Sequence, residues 1–172
     1  MTRLALIPAK AQSRLKDNKN IALKPLNNFW VQIAIPNLSF PPTDNLKVRQ
    51  AIQAAMDMEE LMEAATDGAY KLNIGFQYPG QAFYTEAGKE TYNQKNAAKA
   101  KKLLAEAGYK GEKLILLQPT DRPQYAAAIM VLAESLRRAG AAVELQSADW
   151  STISVRRARK DPPDKGGWHG FI

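Results

Sequence analysis

An α/β fold with a parallel strand pair is predicted by three adjacent features. Residues 113–118 (KLILLQ) form an apolar run of strand length. Residues 125–139 carry an amphipathic helical pattern closed by Gly140, and residues 141–146 (AAVELQ) form a second apolar run. A strand–helix–strand unit of this size places its strands parallel with a right-handed crossover. The connection at residues 119–124 (PTDRPQ) then lies at the carboxyl end of the first strand, where open α/β sheets usually hold ligands. It contains Arg122, between Asp121 and Pro123.

The remaining elements follow in chain order. Residues 4–7, an apolar stretch ahead of Pro8, read as an edge strand, residues 9–19 as a polar, mildly helical segment, and residues 21–23, before Pro25, as another short strand. Residues 29–35 (FWVQIAI) alternate Phe29, Val31, Ile33 and Ile35 against Trp30, Gln32 and Ala34, the period-two signature of a strand. Pro36, Pro41 and Pro42 forbid regular structure as far as Asp44. Asp44 or Asn45 caps the next helix, whose apolar stripe is Val48, Ile52, Ala55 and Met56. Asp57 followed by Glu60 is a capping box that restarts the helix after a bend, and Gly68 ends it. Residues 69–94 show no periodicity but hold Tyr70, Phe76, Tyr78, Phe83, Tyr84 and Tyr92, rings expected to anchor a long loop on the core. Residues 96–107 return to helical spacing (Ala100, Leu103, Leu104, Ala107) with Gly108 as a left-handed cap. After the strand–helix–strand unit, residues 150–159 start a helix, and GWHGFI at 167–172 reads as the beginning of an unpaired strand.

The 172 residues fit one domain, spanning 1–172, and contain no cysteine, so disulfides and thiolate metal sites are excluded. The longest apolar run, 125–133, falls far short of the roughly 20 residues that cross a bilayer. The first residues lack the apolar core and small-residue cleavage site of a signal peptide. The net charge is +7, but the basic residues are dispersed; the densest groups (Lys99, Lys101, Lys102; Arg156, Arg157, Arg159, Lys160) fall in helices as solvated faces. His169 is the single histidine and reads as a surface or packing residue. There is no GxSxG, HExxH, phosphate loop or GxGxxG, so catalysis is not expected, and neither a cofactor nor a metal is implied.

Two stretches carry a resemblance. Residues 27–70 run from a strand through a proline-containing linker into DNLKVRQAIQAAMD and a second helix. Residues 92–160 contain KAKKLLAEAGY, the strand, LAESLRRAGAAVELQ and a tryptophan-led helix start. Both are similar to the family 5 extracellular solute-binding proteins, with Asp44, Asn45, Val48, Arg49, Gln50, Ala51, Ile52 and Asp57 at matching places. The resemblance implies the later lobe of a type II periplasmic-binding-protein fold, with a mixed sheet flanked by helices. It also implies a peptide-type ligand gripped between two lobes, ABC importer membrane subunits as partners, and a periplasmic or extracellular setting. Some dipeptide-binding members carry an arginine of a QRP motif that binds the ligand's carboxylate. Arg122 in DRP stands at that place, and its planar fork suits a carboxylate. The departure is Asp121, which either neutralises Arg122 or holds it away; the competing reading of Arg122 is a solvated loop arginine. Trp168 is read as a cleft wall or as core, and Trp30 as a weaker ligand-wall candidate. The aspartate that binds a peptide's amino group in such members would follow this stretch and is not within it. Nucleic acid is not expected as a partner. The open strand end and exposed lobe face favour a homodimer, and the rival reading is a basic module that binds anionic polymers or a self-associating scaffold.

Overall fold

The computed structural model describes residues 7, 9–24 and 32–172. Besides two 3-10 turns at Lys89–Thr91 and Pro163–Lys165, ten α-helices and strands are present among these: α1 (Ala9–Leu15), β1 (Ile35–Pro36), α2 (Leu46–Ala55), α3 (Met58–Thr66), α4 (Ala97–Glu106), β2 (Leu114–Pro119), α5 (Pro123–Arg138), β3 (Val143–Ala148), α6 (Trp150–Arg156) and β4 (Gly170–Phe171). One sheet has the order β1-β4-β2-β3. The β2–β3 pair is parallel and runs from Leu114 opposite Val143 to Pro119 opposite Ala148. β4 lies parallel to β2, with Leu116 opposite Gly170, and β1 is antiparallel to β4. The sheet is therefore mixed.

Two apolar clusters cover its faces. Leu114 and Leu116 of β2 meet Ile129, Leu132, Ala133 and Leu136 of α5 together with Val48, Ala51, Leu61 and Leu104 of α2–α4. Leu117 points the other way, into Ile153 of α6, Trp168 and Phe171. Side chains alternate across a strand, so one buried run serves both layers. The helix boundaries have local causes. The Asn45 side chain accepts from the Lys47 amide, Asp57 accepts from the amides of Glu59 and Glu60, and Asn96 accepts from Lys99. Met56 is extended between α2 and α3, which makes the predicted bend a break into two helices. Gly108 takes φ +73, the left-handed cap expected of it.

Several expectations are corrected. Residues 21–23 form no strand. Residues 4–6 and 29–31 lie outside the described residues, and of the two strands expected there only Ile35 is laddered. Pro36, expected to end regular structure, is itself in the ladder opposite Gly170; β1 is an edge strand, where a proline's missing N–H costs no bond. GWHGFI is not unpaired: Gly170–Phe171 sits between β1 and β2. In the irregular stretch, Phe76 and Phe83 are 70% and 93% exposed and anchor nothing. Tyr70, Tyr78, Tyr84 and Tyr92 are half-buried, and polar bonds hold the stretch as well. Asn93 accepts from the Met58 amide at 2.8 Å, and the Asn96 amide donates to Ala54 at 2.8 Å.

Candidate functional site

The carboxyl end of β2 and β3 brings together Asp121, Arg122, Tyr125 and Trp150. Arg122 directly precedes α5, and Pro123 occupies the first helical position. The Arg122 carbonyl accepts from the Tyr125 and Ala126 amides at 3.0 and 2.9 Å, which fixes its backbone. Its exposed side chain has neither a hydrogen bond nor an ion pair among the described residues. Asp121 lies beside it but faces elsewhere: its Oδ1 accepts from the Trp150 amide at 2.7 Å and so ties the β2–α5 loop to the start of α6. Asp149 completes that cap through the amide and hydroxyl of Thr152, at 3.0 and 2.7 Å.

An aromatic stack adjoins the arginine. The Tyr125 and Trp150 rings lie 5.2 Å apart at 15°, and the Arg157 guanidinium covers Trp150 at 5.6 Å. Burial pushes the Tyr125 phenol above its usual range against the pull of the nearby Arg122 charge. The corner thus offers an unpaired guanidinium beside a rigid, half-buried ring pair.

A second feature shares this end of the sheet. The register places Ile172 level with Gln118, and Ala34 opposite Ile172. Ile33, Ala34, Met56, Leu61, Tyr92 and Ile172 help line an open apolar cavity of about 210 Å³. Gln32 stands on its wall with a buried side-chain amide nitrogen that has no partner.

Trp168 lies in the apolar cluster on the α6 side of the sheet. By register Trp168 is level with Leu114, at the amino end of β2, 8% exposed and edge-to-face with Phe171 at 5.0 Å. It borders a different hollow, about 450 Å³, shared with Asn37, Ser39, Arg157 and Lys160. Trp30 lies outside the described residues. The sequence reading missed the Tyr125–Trp150 stack, although Trp150 was visible as a helix start and Tyr125 as three residues beyond Arg122. Nothing in the sequence marked Gln32.

Most of the residues in the basic groups are engaged locally. Arg156 donates to Gly166, Gln146 and Gly167, Arg159 pairs with Asp161, Lys99 donates to Gln94, and Lys102 reaches Glu106 at 4.0 Å. Among the described residues no group of three or more His, Cys, Asp or Glu is placed to hold a metal ion, and no helix is long and apolar enough to cross a membrane.

Comparison with known proteins bears on the family and the fold. The chain is 32% identical over 168 residues to a probable peptide ABC transporter periplasmic-binding protein of Sinorhizobium fredii, covering 92% of this chain and 30% of that protein. It is 29% identical over 164 residues to di/tripeptide-binding protein 1 of Pseudomonas aeruginosa, covering 91% of this chain and 30% of that protein. Among solved structures, the ABC transporter substrate-binding protein CtaP of Listeria monocytogenes superimposes with a TM-score of 0.67 at 26% identity, covering 81% of this chain and 29% of that one. The chain thus spans about 30% of the length of the curated relatives it matches. Its mixed sheet and flanking helices are those of part of a type II periplasmic-binding-protein lobe. With the profile of the bacterial extracellular solute-binding proteins, family 5 middle, matching residues 3–169, the chain belongs to that family.

Proposed function

We propose that this chain forms one wall of a ligand cleft in a solute-binding protein serving an ABC importer, and that Arg122 grips the carboxylate of a peptide-type ligand. The observation that carries the reading is the position of Arg122. Its guanidinium is exposed and unpaired at the carboxyl end of a parallel strand, while Asp121, the one acid beside it, is turned toward the Trp150 amide. A planar donor fork with no internal partner is suited to a bidentate carboxylate. The Tyr125–Trp150 stack supplies a flat apolar surface for the adjoining part of the ligand. Trp168, buried with Leu117, Ile153 and Phe171, has a core role in this reading.

Binding requires no bond making, so the protein works without catalysis or cofactor. In the whole protein, closure of a second wall over the ligand by a hinge motion completes the site and presents the closed form to the importer's membrane subunits. The setting is periplasmic or at the extracellular surface, in keeping with the periplasmic-binding name of the Sinorhizobium relative and the family's description as extracellular. One wall leaves most of a ligand in water, so calorimetry of the 172 residues with dipeptides is expected to give dissociation constants of about 1 mM or weaker. Micromolar binding would show that this chain is a complete site and overturn the one-wall reading.

A further inference from the structure

His169 is the single histidine of the chain and is 5% exposed. It stands immediately before β4, and all four of its polar groups are used. Its amide donates to the Ile115 carbonyl at 2.8 Å, and its carbonyl accepts from the Asn37 amide at 2.8 Å. Its Nδ1 accepts from the Ile115 amide at 2.9 Å, and its Nε2 lies 2.8 Å from the Pro41 carbonyl. The imidazole thus bonds the Ile115 amide, a strand N–H of β2. It also reaches across to the loop that follows β1. Three segments remote in sequence, around residues 37–41, 115 and 169, meet on one side chain.

The bond partners dictate its proton state. A backbone amide only donates and a backbone carbonyl only accepts, so Nδ1 must carry the lone pair and Nε2 the proton. The ring is neutral in this arrangement. Adding a proton at Nδ1 sets it against the Ile115 N–H, donor to donor, and places a cation in a buried site. No acid compensates. On the β2 side Lys113 pairs with Glu144 at 3.0 Å. After β1, Asp44 is exposed, Lys47 pairs with Glu106, and Arg49 is bonded to the carbonyls of Thr43 and Asp44. Ahead of β4, Arg159 pairs with Asp161, Arg156 is bonded to the carbonyls of Gly166 and Gly167, Arg157 lies over Phe171, and Lys160, Asp164 and Lys165 are exposed. None of these makes a hydrogen bond or ion pair with the ring.

We propose that His169 is a proton-sensitive clamp that fastens the β1–β4 pair to β2, and that its protonation releases both strands together. β1 and β4 have two residues each, so they contribute few bonds of their own to the sheet. Their other ends, at Ala34 and Ile172, line the apolar cavity beside the candidate site. Acid therefore loosens the edge of the sheet next to that cavity before it unfolds the β2–α5–β3 centre. Burial holds the ring's proton affinity below that of a free histidine, against the opposing pull of the Pro41 carbonyl. The sign follows: the clamp is complete above about pH 6.5 and is lost as pH falls from there toward the lowered folded value.

The clamp is independent of what the cleft binds. Nitrogen-15 NMR of histidine-labelled protein gives one ring system, assigned without ambiguity. The expected result is the Nε2–H tautomer at neutral pH. As the ring titrates, the Ile115 amide should lose hydrogen-exchange protection by about tenfold or more after correction for intrinsic rates, the equivalent of one lost hydrogen bond. Protection of Leu116, whose amide faces β3 as those of Leu114 and Thr120 do, should persist through the same titration. His169→Asn keeps a side-chain acceptor near the Nδ1 position that does not titrate, and should make Ile115 protection insensitive to pH in this range. An Nδ1–H tautomer, or ring titration without a change at Ile115, would overturn the proposal. So would the same pH dependence in the asparagine variant.

Discussion

Gly167→Ala is expected to be among the most costly single-methyl changes in the chain. A Cβ at Gly167 would stand 2.1 Å from the Asp161 carbonyl oxygen and 2.8 Å from the carbonyl carbon and oxygen of Pro162. These are backbone atoms, so no rotamer change relieves the clash. The 161–162 segment must move by roughly 1 Å to restore an ordinary contact. That movement pulls at the Gly167 amide bond to Pro162 (3.0 Å) and at the Arg156 bond to the Gly167 carbonyl (2.9 Å). Overpacking of about 2 kcal/mol with one or two hydrogen bonds of about 1 kcal/mol each gives a loss of about 3–4 kcal/mol. Gly166 next door is the control. Its φ of +91 is unfavourable for alanine, but a Cβ there meets nothing closer than an Arg159 guanidinium nitrogen at 3.7 Å, so about 1–2 kcal/mol is expected. Urea unfolding followed by tryptophan fluorescence measures both, with Trp168 adjacent to the perturbation. A Gly167→Ala loss equal to or smaller than that of Gly166→Ala would refute the close-approach argument and, with it, the account of how β4 is delivered into the sheet.

Three further outcomes follow from the packing and capping. Leu117, fully buried against Ile153, Trp168 and Phe171, should cost about 3–4 kcal/mol when truncated to alanine, whereas Met130→Ala, at a site 54% exposed, should stay within about 0.5 kcal/mol, both read from urea melts. Asp57→Ala removes the α3 cap and should cost about 1 kcal/mol. Burial pushes the Asp57 carboxyl up, but the Glu60 amide, Lys95 and the Glu59 amide outweigh it and hold it below its usual value. The cap's contribution is therefore complete above about pH 4 and is lost as pH falls through the lowered folded value, and Asp57→Asn should flatten that part of the stability profile. Arg122→Ala should leave stability within about 0.5 kcal/mol of the parent, because the side chain has no bond to lose.

The centre of the fold was legible because its signals are local. KLILLQ is long enough to be a strand and apolar enough to be buried on both faces, and the α5 stripe of Ile129, Leu132, Ala133 and Leu136 points where the spacing says. Asp57 and Gly108 act within four residues of themselves, and each was readable; the Asn96 cap was not read. β1 and β4 were not. Two residues carry no period, one of the four is a proline and another a glycine, and the ladder joins Ile35 to Phe171 across most of the chain. The same distance hid the role of His169, whose bonds go to residues 54 and 128 positions away. At the candidate site the position of Arg122 followed from topology alone. The orientation of Asp121 did not, because it depends on where the α6 amide falls. The aromatic-rich stretch was legible only in part: its four tyrosines are half-buried, but Phe76 and Phe83 stand in water, and the ties made by Asn93 and the backbone of residues 95–96 carry no sequence signal.

The central claim is that Arg122 is a carboxylate grip left open by the fold. The most direct measurement follows arginine side-chain Nε–H signals in nitrogen-15 NMR while a dipeptide is added at millimolar concentration, with Arg122→Ala to assign the resonance and the C-terminally amidated dipeptide as control. The account predicts that the Arg122 signal moves with the free carboxylate, alone among the arginines, and stays still with the amide. An unmoved Arg122 signal, or equal movement with both peptides, would contradict it.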